Sequence, residues 1–160
     1  MWEGLGSAVI GAVAVVVGVW FAQWLSERSK QAAAKLDAEV VLGIAIGDQR
    51  DAAVKGRGAR RGDYHLWPLR NELFRLRPVL GADSSSYKLA AEFYRAVESL
   101  RDWIKHRSPA AAAADDDSLD VAFARYAKAL DQYAESVRTY LGTPAQLRGT
   151  PPEAHMPELP

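Results

Sequence analysis

Leu119 to Leu141 reads LDVAFARYAKALDQYAESVRTYL. Within it Leu119, Phe123, Tyr126, Leu130, Tyr133, Val137 and Tyr140 stand at alternating spacings of four and three, which puts them on one face of an α-helix. The intervening Ala, Lys, Glu, Gln and Arg residues favour helix and suit water. An apolar stripe of this kind has to be covered by other elements, so the segment predicts one member of a packed helical layer. Asp115, Asp116 and Asp117 offer an N-cap and first-turn acids, while Gly142 and Pro144 stop the helix.

Two segments upstream carry the same seam. Leu66, Leu69, Leu73, Leu76 and Leu80 form one, with Pro68 in the first turn, Pro78 expected to fray or kink the last turn, and Gly81 as a stop. Ala90, Phe93, Val97, Leu100 and Ile104 form the other, opened by the capping cluster Asp83-Ser84-Ser85-Ser86 and closed by Lys105-His106-Arg107-Ser108-Pro109. Short connections between helices with matching seams predict antiparallel packing at shallow angles.

Ser26 to about Lys55 supplies a fourth helix, because the stretch contains no proline and opens with the strong helix formers SERSKQAAAKLDAE. Leu36, Val40, Gly43 and Gly47 again alternate at three and four. The two glycines either permit a close helix crossing or merely weaken the helix, and the sequence leaves both open. Gly56, Gly58 and Gly62 end this element.

Gly4 to Leu25, GLGSAVIGAVAVVVGVWFAQWL, has no charged side chain in 22 residues. At about 1.5 Å per residue it matches the ~30 Å hydrocarbon core of a bilayer and reads as one transmembrane helix. Trp2 at one end and Trp20 and Trp24 at the other suit the headgroup zones. A cleaved signal peptide fits less well, since Glu3 replaces the usual basic leader and the apolar run continues past Ala14. Arg28, Lys30 and Lys35 follow the helix, so the positive-inside rule puts the N-terminus outside and the bundle in the cytoplasm. Gly4, Ser7, Gly11, Ala14 and Gly18 lie on one stripe of this helix. Small residues so placed let a second backbone approach closely, which makes the stripe a candidate helix-association face and self-association its simplest use.

The fold expected is therefore all-α: a transmembrane anchor over residues 1–25 continuing into a cytoplasmic antiparallel bundle of three to four helices over 26–141. Residues 142–160 hold five prolines and no apolar periodicity, which predicts a disordered tail.

The chain has no cysteine, which excludes a disulfide scaffold, a thiolate metal site and a thiol nucleophile. Its 20 basic and 20 acidic residues cancel, against bulk electrostatic binding of nucleic acid. The cancellation conceals a basic segment, 55–82, with seven basic and two acidic residues: Lys55, Arg57, Arg60, Arg61, Arg70, Arg75 and Arg77 against Asp63 and Glu72. Internal pairing with the acidic last helix is the simpler role for these cations, and contact with anionic lipid or an acidic partner the alternative. His65, His106 and His155 share no ligand spacing, and Asp102/His106 reads as a surface pair. The carboxylates of DDDSLD lack the ligand positions and glycine of a calcium loop. Tyr126, Tyr133 and Tyr140 form a ladder expected at the core boundary. No catalytic, cofactor or metal motif emerges.

Fourteen arginines against six lysines, in an alanine-rich chain, suit a GC-rich bacterial or phage genome. The function expected is a non-enzymatic, membrane-anchored interaction or regulatory scaffold, embedded in the cell's inner membrane. Its partners would be the lipid bilayer, a second copy and an unidentified protein. A holin- or spanin-like lysis accessory is the alternative, and an enzyme with a site in the bundle core a third.

Overall fold

The computed structural model describes residues 3–55, 67–106 and 117–159, with side chains from residue 17 onward except for those of 53–55, 67, 105 and 117–120. Helices α1 (Glu3–Lys55), α2 (Trp67–Leu80), α3 (Ser85–His106) and α4 (Asp117–Gly142) are followed by a 3-10 turn at Ala145–Leu147. No strand occurs among the described residues. The chain divides into two compact units, 1–37 and 38–160.

The second unit is a helical bundle. Leu69, Leu73, Leu76 and Leu80 of α2, Phe93, Val97 and Leu100 of α3, and Tyr126, Leu130, Tyr133 and Val137 of α4 are buried in one core. The C-terminal part of α1 adds Ala38, Leu42, Ala45 and Ile46 to it. The described members of the three predicted seams thus bury together, with Ile104, Phe123 and Tyr140 at the margin, half-buried, while Leu66 and Leu119 lie outside the described side chains. α2 packs against α3, and α3 against α4.

The link between α2 and α3 shows why so few residues suffice. Gly81 adopts φ +83°, the left-handed region that glycine enters without a Cβ penalty. Its N–H donates to the Arg77 carbonyl at 2.9 Å, closing the end of α2. Ser84 then caps α3: its Oγ accepts from the Tyr87 N–H at 3.2 Å, and its carbonyl from the Lys88 N–H at 3.0 Å. Pro78 does not cut α2 short; it sits on the exposed face and the helix reaches Leu80.

α1 runs unbroken through Gly43 and Gly47. A Cβ at Gly47 would meet the Arg138 side chain at 3.6 Å, ordinary contact, and one at Gly43 would meet nothing within 4 Å. Neither glycine is needed for a close crossing inside this chain.

Two expectations are corrected. Arg75 of α2 bonds Glu72 on its own helix, Nε to Oε2 at 2.9 Å, and not the last helix. The acids of α4 are met from α1 instead, where Arg50 bonds Asp131 and lies 3.5 Å from Glu135. Lys55, Arg57, Arg60 and Arg61 lie outside the described side chains. Secondly, the tail is not disordered. Residues 143–159 lie on the bundle, with Met156 and Leu159 packed on the core, because Arg148 and these apolar side chains replace the periodicity the segment lacks.

Among the described residues no helix is long and apolar enough to cross a bilayer. Most of Gly4–Leu25 falls in residues 1–16, whose side chains lie outside the described set, and the described part meets Glu27, Arg28 and Lys30 soon after Leu25. Within the first unit all side chains from Val17 to Asp37 are exposed, including Val17, Val19, Trp20, Phe21 and Leu25.

Candidate functional site

Of the predicted association face, Gly4, Ser7, Gly11 and Ala14 belong to α1, but their side-chain positions lie outside the described residues. Gly18 is exposed, and nothing lies within 4 Å of where its Cβ would stand. Two and three residues further on, Trp20 and Phe21 present two-thirds and half of their surface. Phe21 stacks on Trp24 at 5.7 Å between ring centroids, and the Arg28 guanidinium covers the Trp24 ring at 4.2 Å.

A polar cluster that the sequence did not disclose lies in the bundle around Glu39. Its carboxylate accepts both terminal nitrogens of Arg148, Nη1 to Oε1 at 2.8 Å and Nη2 to Oε2, and the Ser86 hydroxyl donates to Oε1. Arg148 also donates from Nε to the Thr143 carbonyl at 2.8 Å and from Nη2 to the Leu141 carbonyl at 3.0 Å, and it stands over the Tyr140 ring at 5.2 Å. The two side chains expose only 9% and 14% of their surface, so the pair is largely withdrawn from water. The bond to Glu39 raises the guanidinium's pKa further, against desolvation, which lowers it. Fork-to-fork geometry satisfies the carboxylate and leaves no free base to take a proton. The cluster is a clasp joining α1, α3 and the tail.

The tyrosine ladder is structural in two of its three rungs. The Tyr126 hydroxyl donates to the Ala96 carbonyl at 3.0 Å, and that of Tyr133 to Glu92 Oε2 at 3.0 Å, both reaching α3. Burial pushes the Tyr133 phenol well above its ordinary value, and Glu92 adds to the rise by stabilising the protonated form. Burial alone raises Tyr126. A phenol whose folded pKa exceeds its unfolded value near 10 contributes stability below pH 10 that is lost as pH rises through the folded value. Unfolding midpoints measured from pH 8 to 12 should therefore fall above pH 10, and Tyr133→Phe should flatten that fall. An equally steep fall in the variant would assign the effect elsewhere.

No family model, curated protein or solved structure matches the chain. The chemistry of the site is therefore read from its geometry. The His106 Nδ1 lies 2.7 Å from the Asp102 backbone carbonyl, while the Asp102 carboxylate accepts from Arg101, so the expected side-chain pair does not form. His155 is exposed on the tail, and His65 lies outside the described residues, as do Asp115 and Asp116; Asp117 opens α4. Among the described residues no group of three or more His, Asp or Glu is placed to hold a metal ion. Gln49 is buried at 3% exposure, with its Nε2 unpartnered among the described residues.

A cleft of about 600 Å³ lies between α4 and the tail, with Ser136, Thr139, Thr143, Thr150 and Tyr140 in its lining. Ser136 and Thr143 donate back to the Gln132 and Thr139 carbonyls of α4, at 2.9 and 2.8 Å. Glu135, which shares the lining, lies 3.5 Å from Arg50 and 3.4 Å from Arg138. What the described surface offers instead is uncovered apolar helix.

Proposed function

We propose that the chain is a single-pass membrane protein of the inner membrane whose helical bundle is a non-enzymatic interaction or regulatory scaffold, working as a homo-oligomer. The observation that carries this reading is the run from Val17 to Leu25, where Val17, Val19, Trp20, Phe21 and Leu25 are about half or more exposed on a helix that buries none of them. Water penalises such a surface at about 25 cal/mol per Å², whereas lipid does not. Trp20, Trp24 and Arg28 at its end match the sequence of groups met on leaving a bilayer: apolar chain, amphipathic ring, cation. Gly4, Ser7, Gly11, Ala14 and Gly18 are the face on which copies associate in the membrane. The bundle lies on the cytoplasmic side with Arg28, Lys30 and Lys35.

Membrane fractions washed with carbonate at high pH test the anchor, which predicts full retention; release with the soluble proteins would refute it. Because the chain contains no cysteine, a single Ser118→Cys tests orientation. Labelling by an impermeant maleimide only after lysis is expected. Labelling of intact cells would put the bundle outside and favour the spanin-like reading.

A further inference from the structure

The Glu39 clasp has the donor geometry of a pocket for one planar cation. The carboxylate takes both terminal nitrogens of Arg148, while the backbone carbonyls of Leu141 and Thr143, at and just beyond the end of α4, take Nη2 and Nε. That helix end adds the negative pole of its dipole, and the Tyr140 ring lies 5.2 Å from the guanidinium carbon. An ammonium carries its three donors on one nitrogen and cannot span both carboxylate oxygens and two carbonyls, so the arrangement selects a guanidinium. The segment that supplies Arg148 is attached through side chains. No residue from 143 to 159 is buried. Its backbone bonds are local, from the Thr143 N–H to the Thr139 and Tyr140 carbonyls and from the Leu147 N–H to the Pro144 carbonyl, and among the described residues none reaches α1, α2 or α3. Met156 and Leu159 rest half-buried on the core. A segment with few buried groups and no backbone ladder opens at low free energy.

We propose that this pocket is a guanidinium-binding site and that the tail is its own-chain occupant, a latch that opens as a unit while α2, α3 and α4 stay folded. Glu39 stands at the start of the second unit, which begins at Ala38, and the first core residues of α1 there are Ala38 and Leu42. Closed, the latch pins this end of the segment, because Glu39 is bridged to the tail by Arg148 and to α3 by Ser86. Open, the carboxylate loses its counter-charge in a site that exposes only 14% of its side chain, so it moves outward to hydrate and draws the turn from Ala38 to Leu42 off the core. Further along α1, Arg50 still holds Asp131 of α4, so the helix swings on that end. The latch works alike with or without a membrane anchor, since every group in it belongs to the second unit.

The full chain has no native cysteine, so single cysteines report local opening by their rate of maleimide modification. Ala38→Cys reads the latched end of α1 and Ala96→Cys, on α3, the rest of the core; both alanines are buried. With Arg148 intact, position 38 should react about tenfold faster than 96, because the latch opens more readily than the core. Arg148→Ala should speed position 38 by at least about a further tenfold and leave 96 within about twofold. Ethylguanidinium at millimolar concentration should refill the emptied pocket and restore most of the protection at 38, whereas ethylammonium should not. Arg148→Lys, which keeps the charge, should resemble Arg148→Ala. Equal rates at 38 and 96 with Arg148 intact, or no acceleration at 38 in either variant, overturn the latch. Rescue by ethylammonium as strong as by ethylguanidinium, rescue by neither, or full protection in Arg148→Lys overturns the guanidinium site.

Discussion

Phe93→Ala is expected to lower the unfolding free energy of the bundle by roughly 4 kcal/mol, within the range of about 3–5 kcal/mol for a fully buried phenylalanine. Phe93 is the largest side chain with no exposed surface, and it lies on α3, the helix that packs against both α2 and α4. Removing the ring forfeits its transfer free energy and leaves a void that no single neighbour can fill, since three helices would have to close on it. Urea unfolding followed by far-UV circular dichroism in detergent should show the midpoint falling by about 2 M, given slopes of about 2 kcal/mol per M for a domain of this size. Phe74→Ala is the contrast. That ring is 83% exposed on α2, so its removal should change the unfolding free energy by less than about 0.5 kcal/mol. Equal losses at the two positions would mean that the core does not lie where it is described.

The second large effect belongs to the clasp. Arg148→Met should destabilise the second unit by about 3 kcal/mol, because it strands the Glu39 carboxylate in a site that exposes only 14% of that side chain. It also frees two backbone carbonyls, those of Leu141 and Thr143, from their donor. Amide hydrogen exchange over residues 143–159 should accelerate in the variant while α2 keeps its protection. Adding Glu39→Gln to Arg148→Met should recover a large part of the loss, since the uncompensated charge and not the missing attraction is the main cost. If the double variant were no more stable than Arg148→Met, the pair would not be coupled, and the ordering of the tail would need a different cause.

The seams of α2, α3 and α4 are legible because a helix that buries one face must repeat its apolar residues near every 3.6 positions, and the sequence displays that repeat directly. The ends of α2 and α3 are legible for a related reason. Gly81 and Ser84 act within four residues of the groups they cap, so the chemistry is local. Pro78 shows where local inference overstates: the missing N–H and the ring fall on the exposed side of a short helix, and the helix passes through. Arg75 of α2 shows another limit. Segment charges suggest which segments attract, but which residues meet depends on how helices are arranged, and the acids of α4 meet Arg50.

Local periodicity along the chain was enough to specify helices, their seams, the uncharged run from Gly4 to Leu25 and the small-residue stripe on it, since each is a property of residues a few positions apart. Tertiary structure alone decided the fate of the tail. Arg148 and Glu39 are 109 residues apart, and no spacing rule links a proline-rich segment to a glutamate on a distant helix. It also decided what the glycines of α1 mean: among the described residues nothing lies within 4 Å of a Cβ at Gly43, and one at Gly47 would meet the Arg138 side chain in ordinary contact. A helix glycine serves a close crossing only if another helix comes near it, and that depends on the packing of the other helices.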